Sequence, residues 1–159
     1  MTTPDIRWVL LVRGEDRPGT LTAVTGVFSS RGVSFESLAI GDVVYATGLM
    51  PIVFTASERL ARVLVRSLER LAVVRDVRLE RADNPQVRAV AAFELPAGAP
   101  FEAPPGVHVQ LSGEPGQPRL VVGTLADVER VLALARASGA AGVASAILPP
   151  SQLIAGQPG

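Results

Sequence analysis

The sequence predicts an α+β protein of two consecutive units, a ferredoxin-like βαββαβ unit followed by a second, abbreviated unit of the same class. Up to residue 80, apolar segments and helical periodicities follow the order strand–helix–strand–strand–helix–strand. That order favours one antiparallel sheet with two helices on one face. A polar segment at residues 81–85 interrupts the pattern, and further strand and helix signals follow it. We therefore expect domains at residues 4–80 and 87–150, and a loose tail at residues 151–159.

The first unit contains four predicted strands and two predicted helices. Its first helix, residues 20–31, follows the turn Asp16-Arg17-Pro18-Gly19, and Gly32 can end it because glycine tolerates positive φ. The second helix begins at Ser57, a residue type that caps helices well, with Glu58 in the first turn. The four strands are predicted at residues 6–12, 34–40, 49–54 and 73–79.

Two segments of this unit leave alternatives open. Pro51 lies within a strand that the fold places at the centre of the sheet, yet proline cannot donate to a ladder. Either a bulge lies at Pro51 or regular pairing begins only at Ile52. Residues 43–47 are either an extension of a hairpin or a mobile loop.

The second unit is predicted to have fewer helices than the first. Residues 96–105 contain four prolines and cannot form a helix. One helix begins at Thr124, with Asp127 three residues on as a weak capping box, and ends at Gly139. The strands are predicted at residues 87–95, 107–111, 120–122 and 143–148.

The start of the first helix is the candidate binding site. Gly19 lets another group approach the backbone closely, and the N–H groups near Thr20 and Leu21 have no partner within the helix. The helix dipole favours an anion there, and a carboxylate is the natural small guest. Asp16, one turn earlier, could face an ammonium group. These features describe a pocket for an α-amino acid zwitterion; the alternative is a tight turn whose N–H groups bind water.

Composition excludes several classes of function. The formal net charge of zero argues against nucleic-acid or anionic-membrane partners, which need a basic face. The absence of cysteine excludes disulfides and thiolate metal sites. A Ser–His–acid triad would need His108, the single histidine, which is more typical of a surface or an edge strand. We expect no catalysis by this chain alone, no bound cofactor and no metal. With neither a signal peptide nor an apolar run of about 20 residues, we expect a cytoplasmic protein.

The motifs of the first helix resemble those of a known family. The turn at residues 16–19 with Leu21, the helix end Phe28-Ser29-Ser30-Arg31-Gly32 and the strand Phe35-Glu36-Ser37-Leu38 resemble an ACT domain, and more narrowly the regulatory small subunit of acetolactate (acetohydroxyacid) synthase. The second unit resembles, more weakly, the C-terminal domain of these subunits, with the proline-rich segment in place of its first helix.

This resemblance implies a regulatory role in branched-chain amino acid biosynthesis. Two ACT units would pair into a homodimer that binds a small neutral amino acid at its seam. Asp16, Gly19, Thr20 and Leu21 of one protomer would face Ser34 and Phe35 of the other. The partner would be the large, catalytic subunit of acetolactate synthase, whose thiamine diphosphate, Mg²⁺ and FAD this chain would not hold.

Two positions depart from the family. It usually has asparagine where this chain has Asp16 and Ser34, so we expect valine, the usual effector, to bind more weakly than in a site with both asparagines.

Two units of about 70 residues bury little surface, and open sheet edges need protection, which also favours a homodimer. The alternative functions are a free-standing ACT-domain amino-acid sensor with another enzyme partner or none, and a structural dimer without a ligand.

Overall fold

The computed structural model describes residues 4–41, 43–44 and 46–150, without the side chain of Val44. The chain divides into two compact units between Ala82 and Asp83. Both have the predicted ferredoxin-like α+β class. The predicted tail at residues 151–159 lies outside the described residues.

The first unit is a five-stranded antiparallel sheet with two helices. The strands run in the order β2-β4-β1-β5, and a short strand, β3, also pairs with β4. The elements are β1 (Asp5–Glu15), α1 (Thr20–Ser30), β2 (Phe35–Leu38), β3 (Val43–Val44), β4 (Thr47–Ser57), α2 (Glu58–Glu69) and β5 (Val74–Arg81). The central strands β1 and β4 extend beyond the predicted residues 6–12 and 49–54, because they pair along their whole length, from Asp5 opposite Ser57 to Glu15 opposite Thr47.

Both helices pack on the same face of this sheet. Val24 and Phe28 of α1 and the α2 residues Ala61, Leu64 and Leu68 are buried in one cluster. Burial of this apolar surface is the main favourable term in the stability of the unit. The strands contribute Trp8, Leu10, Val12, Met50, Ile52, Phe54 and Ala56 to that cluster.

Pro51 lies inside β4 without interrupting its pairing with β1. It stands opposite Leu11 in an unbroken register. The Pro51 carbonyl accepts a hydrogen bond from the Ala39 N–H at 3.2 Å, so the proline nitrogen also points toward that side. Pairing of β4 with β2 reaches only to Ile52 there. Neither a bulge at Pro51 nor pairing that begins only at Ile52 holds for the β1 side. On the β2 side the irregularity lies between Phe35 and Ser37, and the missing N–H removes no hydrogen bond from the β1 ladder.

The helix ends follow local signals. Gly32, with φ of +65°, ends α1, and Val33 N–H donates to the Phe28 carbonyl in the manner of a Schellman motif. The Ser57 hydroxyl accepts from Leu60 N–H at 3.3 Å and caps α2. At the ambiguous residues 43–47, the described part of β3 pairs with β4 as an extended hairpin.

The second unit has the same strand order with one helix fewer. Its sheet runs β7-β8-β6-β9, with the second, third, first and fourth strands as neighbours, which is the order of the first unit when the short β3 is left aside. Ala89, Ala91 and Phe93 on one face pack with the buried side of the helix. The elements are β6 (Arg88–Glu94), β7 (Val109–Ser112), β8 (Arg119–Thr124), α3 (Leu125–Ala137) and β9 (Ala141–Ile147).

The proline-rich segment connects β6 to β7 without a helix, as predicted. Phe101 packs edge-on against the buried Phe93, with ring centroids 5.2 Å apart. The Arg130 guanidinium of α3 donates to the carbonyls of Pro105 at 3.1 Å and Gly106 at 3.2 Å. The segment is thus held against the helix face of the sheet by one aromatic contact and two hydrogen bonds.

Candidate functional site

The candidate site lies where β1 ends and α1 begins. Backbone hydrogen bonds tie this turn to two other segments: Glu15 N–H donates to Val73 O and Asp16 N–H to Ala46 O, both at 2.8 Å. Gly19 is the N-cap residue, with φ of +90°, and no side chain caps the helix. Thr20 N–H donates to Arg17 O at 3.3 Å. The N–H groups after it, beginning with that of Leu21, are therefore the ones that point toward the space before the helix, where the helix dipole favours negative charge.

A cavity of about 100 Å³ lies at this helix start. A buried water needs roughly 10–15 Å³, so the cavity has room for a small ligand. Its wall combines charged, polar and apolar groups. It is lined by Gly14, Glu15, Asp16, Arg17, Thr20, Leu21, Ile40, Val43, Gly48 and Met50.

Thr20 has an incomplete set of hydrogen bonds. The residue is only 6% exposed, and its Oγ1 has no hydrogen-bond partner in the described part of the chain. A buried hydroxyl without a partner costs about 1–3 kcal/mol, and native structures rarely leave one so without a reason. Thr20 lines the cavity, but its Oγ1 is itself buried, so a rotation of the side chain about χ1 would be needed to bring the hydroxyl to a ligand there.

The two carboxylates in the wall have different surroundings. Glu15 is paired with two arginines: Arg17 at 3.0 Å and Arg75, whose Nη2 donates to Glu15 Oε1. Asp16 is exposed, and no ion pair of its side chain occurs among the described residues. The Glu15 charge is thus already compensated, whereas the Asp16 carboxylate remains available for a cationic group.

Gly14 makes room for side chains of the cavity wall. A Cβ on Gly14 would lie 2.9 Å from Thr20 Cγ2 and 3.0 Å from Met50 Cε, so any side chain there would displace the cavity wall. Gly14 stands opposite Gly48 across β1 and β4. Glycine in a strand often marks a place where another group approaches the backbone closely, but the pairing of these two glycines follows from the sheet register and could not be identified from the sequence alone.

The predicted site residues fall into two groups. Asp16, Thr20 and Leu21 line the cavity, and Gly19 caps the helix beside them. Ser34 and Phe35 lie elsewhere in their own chain: Ser34 is exposed, and Phe35 packs edge-on against Phe28 at 5.9 Å between ring centroids. Their placement across a dimer seam stays a prediction.

Leu21 is the one apolar residue of the wall that the sequence predicted, and three further apolar residues were not predicted. Ile40 and Val43 come from the segment around β3, and Met50 comes from β4.

Within the described ranges, no cluster of three or more His, Cys, Asp or Glu could hold a metal ion. No helix among them is long and apolar enough to cross a membrane. His108 is exposed, and its backbone N–H donates to Asp127 Oδ2 at 3.1 Å.

Residues 8–73 match the family model of the ACT domain. The match covers β1 through α2 and thus contains the whole turn at residues 16–19 and the lining of the cavity. The resemblance stated from the motifs of the first helix is confirmed.

The chain is also similar to acetolactate synthase small subunits. It is 37% identical over 91 residues to the acetolactate synthase small subunit of Mycobacterium leprae (strain TN), a match that covers 57% of this chain and 54% of that protein. The chain thus spans about half the length of this curated relative. The crystal structure of the acetolactate synthase small subunit from Thermotoga maritima superposes with a TM-score of 0.58 at 13% identity, over 90% of this chain and 98% of that one. At that identity the superposition shows a shared fold, and it extends over both units.

Proposed function

We propose that this chain is a regulatory subunit that binds a small neutral amino acid at the start of α1 and modulates a separate, thiamine-dependent acetolactate synthase. The observation that carries the proposal is the cavity itself, in which the unpartnered Thr20 hydroxyl and the Asp16 carboxylate line one space beside an uncapped helix start. The ACT domain at residues 8–73 and the similarity to acetolactate synthase small subunits support this partner.

The ligand's charged groups fit the polar half of the wall. Its carboxylate would accept hydrogen bonds from the first N–H groups of α1 and from Thr20 Oγ1. Its ammonium group would lie near Asp16, the carboxylate that has no ion pair in the described chain. The turn into the helix start depends on glycine at position 19, because its φ of +90° is rarely adopted by a residue with a side chain.

The ligand's side chain would contact the apolar half of the wall. Leu21, Ile40, Val43 and Met50 provide it. A charged side chain there would lose hydration without gaining a partner, which is costly. A cavity of about 100 Å³ suits a small amino acid. These features together favour a neutral, aliphatic amino acid.

The effect on the partner enzyme would follow from linkage. In a homodimer whose seam borders the cavity, Ser34 and Phe35 of the second protomer would complete the site. A ligand that prefers one arrangement of the dimer shifts the population toward it. A coupling of about 1–3 kcal/mol changes a partner's affinity by roughly 5- to 150-fold.

A thermal-shift scan with the twenty amino acids, followed by calorimetry, tests the binding site. A ligand present at about 100 times its dissociation constant adds about 2.7 kcal/mol to the unfolding free energy. We expect a neutral aliphatic amino acid to raise the melting temperature, and the same ligand at the same concentration to raise it about half as much with Thr20→Val. If none of the twenty amino acids shifts the thermal unfolding transition of the wild type, the cavity is not an amino-acid site. The alternative function, a structural dimer without a ligand, is then favoured.

A second experiment tests the partner. The chain is mixed with the catalytic subunit of acetolactate synthase from the same genome, and pyruvate condensation is measured with and without the ligand from the scan. We expect the chain to change the rate and the ligand to alter that change. Ligand binding without any effect on the synthase would instead support a free-standing amino-acid sensor. The missing first helix of the second unit favours this second function, because that unit departs from the complete βαββαβ pattern.

A further inference from the structure

The edge strands of the two sheets differ in how they are protected against pairing with another chain. β5 contains three arginines and two acidic residues, and β2 and β7 have four residues each. β9 has seven residues, Ala-Gly-Val-Ala-Ser-Ala-Ile, with no charge and no proline. Native proteins usually blunt an edge by shortness, charge, proline or cover. Among the described edge strands, β9 is the long one that lacks such protection.

The hydrogen-bonding direction along β9 is fixed by its pairing with β6. Leu148 N–H donates to Arg88 O at 2.9 Å, directly after the end of the strand. Because neighbouring residues of a strand point their N–H and C=O groups to opposite sides, Ala146 and Ala144 also bond toward β6. Val143, Ser145 and Ile147 therefore point their backbone groups away from β6, to the open edge.

The regular part of this edge is bounded on both sides. Gly142 has φ of +59°, and the register with β6 shifts between Ala92 and Glu94. At the other end, Pro149 and Pro150 follow the strand and cannot donate hydrogen bonds. The open donors and acceptors are thus centred on Ser145.

We propose that β9 pairs antiparallel with β9 of a second copy of this chain, about a two-fold axis at Ser145. In that register Ser145 lies opposite Ser145, and Val143 lies opposite Ile147. Each is a compatible cross-strand pair, and no like charges meet. Ala141, Gly142, Ala144, Ser145 and Ala146 are all exposed in the single chain, so the edge is open to a second copy.

The shape of the edge favours a second copy over a different protein. A two-fold pairing uses the same groups on both partners and closes after two chains. The open groups are symmetric about Ser145, and β9 has no charged side chain that could select a different partner. Pairing joins two four-stranded sheets into one continuous sheet, in which β9 is no longer an edge. This inference is independent of the amino-acid site in the first unit.

Disulfide trapping tests the register directly, since the chain has no cysteine of its own. In the proposed pair the two Ser145 Cα atoms lie about 5.5 Å apart, as in any hydrogen-bonded antiparallel pair. A disulfide needs roughly 4.4–6.8 Å. We expect the Ser145→Cys chain to form a covalent dimer on mild oxidation, visible on a non-reducing gel.

The matched control is Ala144→Cys on the same strand. In the proposed register Ala144 faces Ala146 of the other copy, so two Cys side chains at 144 would be offset by two residues and too far apart to bridge. We expect Ser145→Cys to cross-link at least tenfold faster than Ala144→Cys. Equal rates for the two variants, or no covalent dimer with Ser145→Cys, would overturn the proposed pairing.

A charge-exchange experiment tests the same axis without oxidation. Ser145→Glu and Ser145→Arg each place like charges opposite one another, which disfavours the pair. Mixing the two variants places opposite charges there. By analytical ultracentrifugation we expect weaker self-association for each variant alone and wild-type association for the mixture. A wild-type chain that does not self-associate, or a mixture no tighter than either variant, would rule out the pairing at Ser145.

Discussion

At the scale of the residue, Thr20 combines a structural cost with a binding role. Its buried Oγ1 has no partner in the described chain. Thr20→Val keeps the shape and removes the hydroxyl. We expect the unfolding free energy of the unliganded chain to stay the same or rise by up to about 1–3 kcal/mol, because an unsatisfied group disappears. We expect ligand affinity to fall about tenfold for one lost hydrogen bond.

Urea denaturation and calorimetry measure these two effects separately. Thr25→Val is the matched control on the same helix, since Thr25 Oγ1 already donates to Leu21 O at 2.9 Å and is absent from the cavity wall. It should leave ligand affinity unchanged. An unchanged affinity in Thr20→Val as well would show that the hydroxyl does not contact the ligand.

Substitution of Gly19 tests whether the ligand carboxylate binds at the start of α1. With φ of +90°, Gly19→Val forces a branched residue into a conformation that costs about 1–3 kcal/mol. It also places a side chain where the ligand carboxylate would approach. We expect ligand binding to be lost in calorimetry while the chain still folds. The control is Gly26→Val within α1, which has ordinary helical φ and nothing within 4 Å of its Cβ position. Should Gly19→Val bind the ligand as tightly as Gly26→Val, the carboxylate does not lie at the helix start.

At the scale of the element, signals close together in sequence predicted the helix ends well. Ser57, Thr124 and Gly32 cap their helices as expected, because a cap depends on residues within one turn. Strand lengths were predicted less well. β1 continues through Arg13 to Glu15 because β4 pairs with it there, and pairing between distant segments is not written in the local pattern.

The candidate site likewise contains residues that local sequence signals predicted and residues that only the folded sheet brings together. Asp16, Gly19, Thr20 and Leu21 are consecutive or nearly so, and their roles follow from one turn and one helix start. Ile40, Val43 and Met50 join the wall only once β3 and β4 have folded beside the turn. Which of many apolar residues lie near the helix start depends on sheet register, and the sequence pattern alone leaves that open.

The proline-rich segment of the second unit is tested through Arg130. Arg130→Met removes the two hydrogen bonds to Pro105 and Gly106 and keeps an apolar stem of similar length. Since the Arg130 side chain is 53% exposed, we expect a modest loss of about 1–2 kcal/mol in the unfolding free energy. Urea denaturation followed by circular dichroism measures it.

Arg136→Met is the control on the same helix. Arg136 lies in the last turn of α3, and its replacement should cost only the helix-dipole contribution of about 0.3–1 kcal/mol. If both variants lose the same stability, the hydrogen bonds of Arg130 do not hold the proline-rich segment.

At the scale of the whole molecule, two separate self-associations are proposed for one chain. One joins ACT units around the amino-acid site, and the other joins β9 strands in the second unit. Two such contacts close into a dimer only when they share one two-fold axis; otherwise they build a larger assembly. The oligomeric state of Ser145→Glu relative to wild type therefore separates the two contacts, because this substitution lies outside the ACT domain.

The choice of effector also belongs to the assembled molecule, because Asp16 and Ser34 would meet only across the seam. A carboxylate at position 16 can only accept hydrogen bonds, so it suits an ammonium group and repels a carboxylate beside it. Ser34 has a shorter reach than asparagine, and a water molecule would fill the gap.

The double variant Asp16→Asn, Ser34→Asn should therefore bind valine more tightly by about one or two hydrogen bonds, ~1–3 kcal/mol in total. Calorimetry with valine on the wild type, each single variant and the double variant measures this. The gain of the double variant should exceed the sum of the single gains if both side chains contact one ligand. Equal affinity in the wild type and the double variant, or tighter binding by the wild type, would place these two residues away from the effector.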